Sequence, residues 1–172
     1  KELKDCDLVI EAIIENKEIK QNVFAELETY VSEKCVLGSN TSSISITSLQ
    51  AELKNPERFI GIHFFNPAPL MPLMEVIPGL LTENNLAQEI VDLMKSWGKS
   101  PIIAKDVPGF IVNRIARPFY GEALRIVEEN LATPEQVDDA MKSFGNFKMG
   151  PFELMDLIGI DVNFSVTKTV YQ

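Results

Sequence analysis

Three short apolar runs rich in branched side chains mark the first part of the chain: DLVIEAI at 7–13, CVLG at 35–38 and FIGIHFF at 59–65. Their length and composition suit strands buried on both faces of a sheet. Between the first two runs, Ile19, Val23, Phe24, Leu27 and Val31 recur at helical spacing with polar residues opposite, which predicts an amphipathic helix. Ser45 to Leu53 is weakly helical. Strand, helix, strand, helix, strand in that order specifies a parallel α/β sheet.

Two further runs, LMEVI at 73–77 and SPIIAKD at 100–106, read as a fourth and a fifth strand whose directions the sequence leaves open. Between them Thr82 offers an N-cap, Leu86, Ile90, Leu93, Met94 and Trp97 share a face, and Gly98 is the stop. After Val107-Pro108-Gly109 the pattern turns wholly helical. Residues 108–131 read as one long helix that Pro118 is expected to kink. In TPEQVDDAMKSFG, Thr133 caps, Pro134 opens, Gln136 completes a capping box and Gly145 ends a second helix. GPFELMDLIG is a third. The expected division is therefore 1–106, α/β, and 107–172, all-α.

The net charge of −9, with no basic stripe, argues against a nucleic-acid partner. No apolar run approaches the length that spans a bilayer, and no signal peptide opens the chain, so the expectation is no membrane partner and a cytoplasmic location. Cys6 and Cys35 sit beside apolar runs and read as buried free thiols suited to a reducing compartment. One histidine and no Cys/His cluster argue against a metal site. The opening KELKDCD lacks Met and leads straight into a strand, as expected of a piece of something longer.

In open parallel sheets, ligands bind beyond the carboxyl ends of the strands. There the sequence puts Glu15 and Asn16, then SNTSS at 39–43, then His63 and Asn66. SNTSS also suits a plain strand end that caps the next helix, and Asn40 or Ser42 could equally donate to a ligand. His63 is the one imidazole of the chain, and Glu75 lies between Met74 and Val76. A buried carboxylate needs a partner, because desolvating an unpaired charge costs several kcal/mol. An imidazole is the natural one: the acid fixes its tautomer and leaves the other ring nitrogen to take a proton. Twelve residues of separation, across the rigid NPAPLMP segment, permit the pair.

VIEAIIENKEIKQNVFAEL, SNTSSISIT, RFIGIHFFNPAPLMPLMEVI, KDVPGFIVNRI and MGPFELMDLIG, in this order, resemble the short-chain L-3-hydroxyacyl-CoA dehydrogenases, including the 3-hydroxybutyryl-CoA dehydrogenases. The resemblance covers almost the whole chain. It implies a Rossmann-type NAD-binding domain followed by a helical domain like the C-terminal domain of 6-phosphogluconate dehydrogenase. It further implies NAD-dependent oxidation of a 3-hydroxyacyl-CoA to the 3-ketoacyl-CoA, in fatty-acid or butanoate metabolism, and a homodimer formed through the helical domain.

By the same resemblance His63 and Glu75 are the catalytic pair, Ser42 and Asn113 contact substrate, and Glu15, Lys20, Ser42 and Asn66 contact the cofactor. The family's G-x-G-x-x-G turn has no counterpart, since Gly38, Gly61 and Gly79 stand isolated. The resemblance thus implies that the first half of the Rossmann domain and the last helices lie outside this chain, which alone is expected to bind NAD poorly. Alternatives are a gulonate-type β-hydroxyacid dehydrogenase, a non-catalytic dimerisation module built on Ile115, Phe119, Leu124 and Val127, and a domain of a multifunctional fatty-acid oxidation protein.

Overall fold

The computed structural model describes residues 3–171. It divides into two compact units, Lys1–Ile111 and Val112–Gln172. Among the described residues the first unit carries five strands: β1 (Leu8–Glu11), β2 (Val36–Ser39), β3 (Phe59–Phe64), β4 (Leu73–Pro78) and β5 (Ser100–Ile103). They form one sheet in the order β1-β2-β3-β4-β5. β1, β2 and β3 run parallel, β4 runs antiparallel to β3, and β5 follows β4 in parallel. The α/β expectation holds, and the directions that the sequence left open are now fixed.

Helices α1 (Lys17–Leu27) and α2 (Ile46–Gln50) cross over between the parallel strands, and α3 (Leu86–Ser96) joins β4 to β5. Two apolar clusters form the unit's core. One gathers Phe24, Leu37, Ile46, Leu49, Phe59, Ile77 and Phe110. The other gathers Ile60, Ile62, Met74 and Val76 with Leu86, Ile90, Val91 and Met94 of α3. Period-two alternation along β3 and β4 explains the split. It also places His63 on the face of Phe59 and Gly61, and Glu75 on the face of Ile77. Gly61 is needed there, because a Cβ would stand 2.8 Å from Ile46 Cδ1 and 2.9 Å from Ile77 Cβ.

Local details depart from the sequence reading. α3 begins at Leu86 behind Asn85, not at Thr82. The Thr82 hydroxyl accepts from the Gly79 N–H and donates to the Phe59 carbonyl, so it ties the end of β4 to the start of β3 instead of capping a helix. α2 is brief, and Asp106 holds its N-terminus by accepting from the Ile46 and Thr47 N–H groups. The chain also stays with the first unit as far as Ile111. Phe110 is 2% exposed in that core, and Gly109 and Phe110 have positive φ, which delays the next helix.

Among the described residues the second unit holds four helices: α4 (Val112–Glu128), α5 (Pro134–Ser143), α6 (Pro151–Ile158) and α7 (Ile160–Tyr171). α4 starts later than expected and runs on past Pro118. α5 carries the Thr133–Gln136 capping box anticipated from sequence. α7 was not expected, and Gly159 at φ 98° separates it from α6. Arg117 of α4 reaches α7 by donating to the Asn163 carbonyl and the Thr167 hydroxyl. No helix among the described residues is long and apolar enough to cross a membrane.

Buried Asp138 joins α5 to α6, its two oxygens accepting from the Phe152 and Glu153 N–H groups. Asp138→Ala should cost about 1–3 kcal/mol, because it orphans two donors at a helix N-terminus. A chemical denaturation midpoint would measure the loss.

Candidate functional site

His63 and Glu75 stand directly opposite each other across the antiparallel β3–β4 pair. His63 Nδ1 lies 2.8 Å from Glu75 Oε2. The His63 side chain is 7% exposed and that of Glu75 is fully buried. Glu75 Oε1 accepts the Ile111 N–H at 2.9 Å, so both carboxylate oxygens are engaged and the group cannot rotate freely. Phe65 and Phe110 flank the ring at centroid distances of 4.7 and 5.9 Å.

This geometry assigns the proton on neutral His63 to Nδ1, where the acceptor is. The lone pair then falls on Nε2, to which no described residue is hydrogen bonded. Such a ring can take a proton at Nε2 while Glu75 stabilises the imidazolium. Two strands fix both partners, so the pair is held ready without a loop having to close.

A second polar cluster forms where β1 and β2 end. Glu15 Oε1 accepts from the Thr41 hydroxyl at 2.6 Å, the Ser42 N–H at 2.9 Å and the Ser43 N–H at 3.1 Å. The Ser42 and Ser43 hydroxyls each lie 3.2 Å away. Burial pushes the Glu15 carboxyl up, but the Thr41 and Ser42 hydrogen bonds, the nearby Lys20 ammonium and Ser43 outweigh it and hold the acid below its ordinary value. A carboxyl lowered on folding adds stability above its unfolded pKa and loses it as pH falls through the folded value. The stability margin of wild type over Glu15→Ala should therefore be full near neutrality and shrink at acid pH. Thermal melts at pH 7 and at pH 3 would show this, and a margin independent of pH would refute it.

The remaining sequence candidates have distinct settings. Asn40 accepts the Phe64 N–H at 2.8 Å, so its side chain fixes the end of β3. Asn66 is exposed in the turn after β3. Asn113 is half-buried in the first turn of α4, in the helical unit. Lys20 is 1% exposed, with its ammonium 2.6 Å from Glu11 Oε1 and 3.5 Å from Glu15 Oε2. Sequence reasoning missed Glu11, which is 4% exposed and also accepts the Ser39 hydroxyl at 2.8 Å. The signal was present: an acid inside a β-branched run, and a lysine four residues before Phe24 on the buried stripe of α1.

Comparison with known proteins places both units in one family. The NAD-binding domain of 3-hydroxyacyl-CoA dehydrogenase matches residues 1–107, and the C-terminal domain of the same enzyme matches residues 109–172. The 3-hydroxyadipyl-CoA dehydrogenase of Escherichia coli (strain K12) is 52% identical over 98% of this chain and 36% of its own length. The 3-hydroxybutyryl-CoA dehydrogenase of Clostridioides difficile is 44% identical over 99% of this chain and 60% of its own. The crystal structure of (S)-3-hydroxybutyryl-CoA dehydrogenase from Ralstonia eutropha superposes with a TM-score of 0.94 at 44% identity, over 99% of this chain and 60% of that one. The chain thus spans between 36% and 60% of the length of these relatives. With both family domains matched in order along its length, the chain belongs to the 3-hydroxyacyl-CoA dehydrogenase family.

Proposed function

We propose that the protein carrying this chain oxidises (S)-3-hydroxyacyl-CoA to 3-ketoacyl-CoA with NAD, and that His63 is its general base. The buried His63–Glu75 contact of 2.8 Å carries the reading. His63 Nε2 takes the proton of the 3-hydroxyl group. Glu75 stays ionised and stabilises the imidazolium, while the Ile111 N–H keeps its carboxylate in line. In the reverse direction the same nitrogen returns the proton. Family resemblance adds Ser42 and Asn113 as the residues that hold the substrate.

The groups at the strand ends fit the nicotinamide half of NAD. Glu15 supplies an acceptor, Ser42 a hydroxyl and Asn66 an amide, which suit ribose hydroxyls and a carboxamide. These three would hold the cofactor, and the cofactor would supply the hydride acceptor. The substrate class is supported by the relatives, a 3-hydroxyadipyl-CoA dehydrogenase and a 3-hydroxybutyryl-CoA dehydrogenase. Acetoacetyl-CoA with NADH, given to the full-length protein, should be reduced with loss of NADH absorbance. No loss would end the reading.

The helical unit exposes Ile115, Leu124, Phe144, Leu157, Ile160 and Phe164, each at least half accessible, which favours burial against a second copy. Light scattering should give a homodimer mass, and a monomer at micromolar concentration would refute it. Cys6 and Cys35, neither of them in a disulfide, favour a reducing, cytoplasmic setting.

A further inference from the structure

We infer that the cavity between α4 and α7 is a carboxylate site built on Arg117, and that it takes the far end of a dicarboxylic acyl chain. The inference deepens the dehydrogenase reading above and rests on it. Arg117 is 5% exposed, and its guanidinium carries five N–H donors and cannot shed its charge. Its Nε donates to the Asn113 carbonyl at 2.9 Å, and its Nη1 to the Thr167 hydroxyl at 2.7 Å and the Asn163 carbonyl at 3.2 Å. Asn163 Oδ1 lies 3.4 Å from the same Nη1. All of these acceptors are neutral. Among the described residues Nη2 makes no hydrogen bond, and no carboxylate stands within ion-pair distance of Arg117. A buried charge without a counter-ion is costly. The Tyr120 ring, its centroid 5.0 Å from the guanidinium carbon, offsets only part of that cost.

A second buried group points to the same ligand. Asn163 is 7% exposed, and with Oδ1 toward Arg117 its Nδ2 has no hydrogen-bond partner. Both residues line a cavity of about 420 Å³, together with Arg125, Thr167 and Tyr171. Glu122 lines it too, but Arg125 engages that carboxylate at 2.9 Å. Arg117 is thus the cation of the cavity that no described acid neutralises, which suits a singly charged carboxylate better than a phosphate. A guanidinium nitrogen and an amide nitrogen, both in want of an acceptor, match its two oxygens. The position on α4 ties the site to substrate. Asn113, the residue that family resemblance gives to substrate, stands one turn before Arg117, and residues so spaced have Cβ atoms about 5–6 Å apart. A few methylene groups span that distance.

The test gives the full-length protein NADH with 3-ketoadipyl-CoA or 3-ketohexanoyl-CoA, chains of equal length that differ only in the terminal carboxylate. Wild type should prefer the first by about tenfold or more in kcat/KM, the scale of a charged hydrogen bond. Arg117→Met should bring the ratio to about one. Asn163→Asp should do the same without harming the fold. Its carboxylate takes the place of the ligand beside Arg117 and sits favourably in the first turn of α7, so Tm should hold or rise while the preference disappears. A merely structural Arg117 would leave wild type with no preference to lose.

A ratio near one in wild type overturns the inference, and so does a preference that survives Asn163→Asp. Should Arg117→Met not fold, Asn163→Asp decides alone. Adipate that raises the Tm of wild type but not of Asn163→Asp, beside a ratio near one, would assign the site to a free dicarboxylate and overturn its assignment to the acyl chain. Wild type that reduces neither of these thioesters nor acetoacetyl-CoA would refute the dehydrogenase reading itself. Turnover with acetoacetyl-CoA separates that failure from failure of the site.

Discussion

Full-length protein carrying His63→Gln should lose roughly two to four orders of magnitude in turnover with acetoacetyl-CoA and NADH, the usual scale for removing a general acid–base group. Glutamine is close to histidine in size, and its amide can still donate to Glu75 Oε2 from the same strand position. The buried carboxylate therefore keeps a partner, and the heavy penalty of an unpaired buried charge is avoided. The variant has no basic nitrogen to replace Nε2. Turnover should collapse while the NADH dissociation constant and Tm stay near those of wild type. Near-wild-type turnover would show that the pair is structural and would favour a non-catalytic reading of the whole chain.

The His63–Glu75 pair was legible in sequence because its logic is energetic: a carboxylate within an apolar strand must be answered, and one imidazole was within reach. The antiparallel turn that joins them was not legible, since prolines restrict dihedrals without specifying direction. α7 went unseen for a related reason. Val162, Val166, Thr167, Thr169 and Val170 are poor helix formers, and β-branching gives no warning of a helix. What holds α7 is packing and the Arg117 contacts to Asn163 and Thr167, which exist only once α4 is in place. Thr82 misled in the opposite way. It has the right chemistry for an N-cap, but its hydroxyl bridges β3 and β4, a pairing no local pattern reveals. Asn40 has the chemistry of a ligand contact, and its side-chain oxygen also finishes β3 by accepting the Phe64 N–H, a role no local pattern reveals.

Glu75→Gln should be almost as damaging as losing the histidine, at roughly two to four orders of magnitude in turnover, although it changes one atom and leaves the ring in place. The Ile111 N–H donates to Oε1 and demands an acceptor there. The glutamine oxygen meets that demand, which turns the amide NH2 group toward His63 Nδ1. A donor facing Nδ1 forces the ring proton onto Nε2, the nitrogen that must be bare to accept the hydroxyl proton. The imidazole is then held in the wrong tautomer and has lost the anion that would stabilise its charged form. Glu75→Ala separates this effect from simple loss of charge. It leaves the Ile111 N–H without its partner and opens space beside a buried ring, so it should also cost about 1–3 kcal/mol of stability. The tautomer argument predicts that Glu75→Gln combines a near-native Tm with very slow turnover. Turnover within about tenfold of wild type would mean that the carboxylate does not set the state of the ring, since orienting a base is expected to matter by more than that.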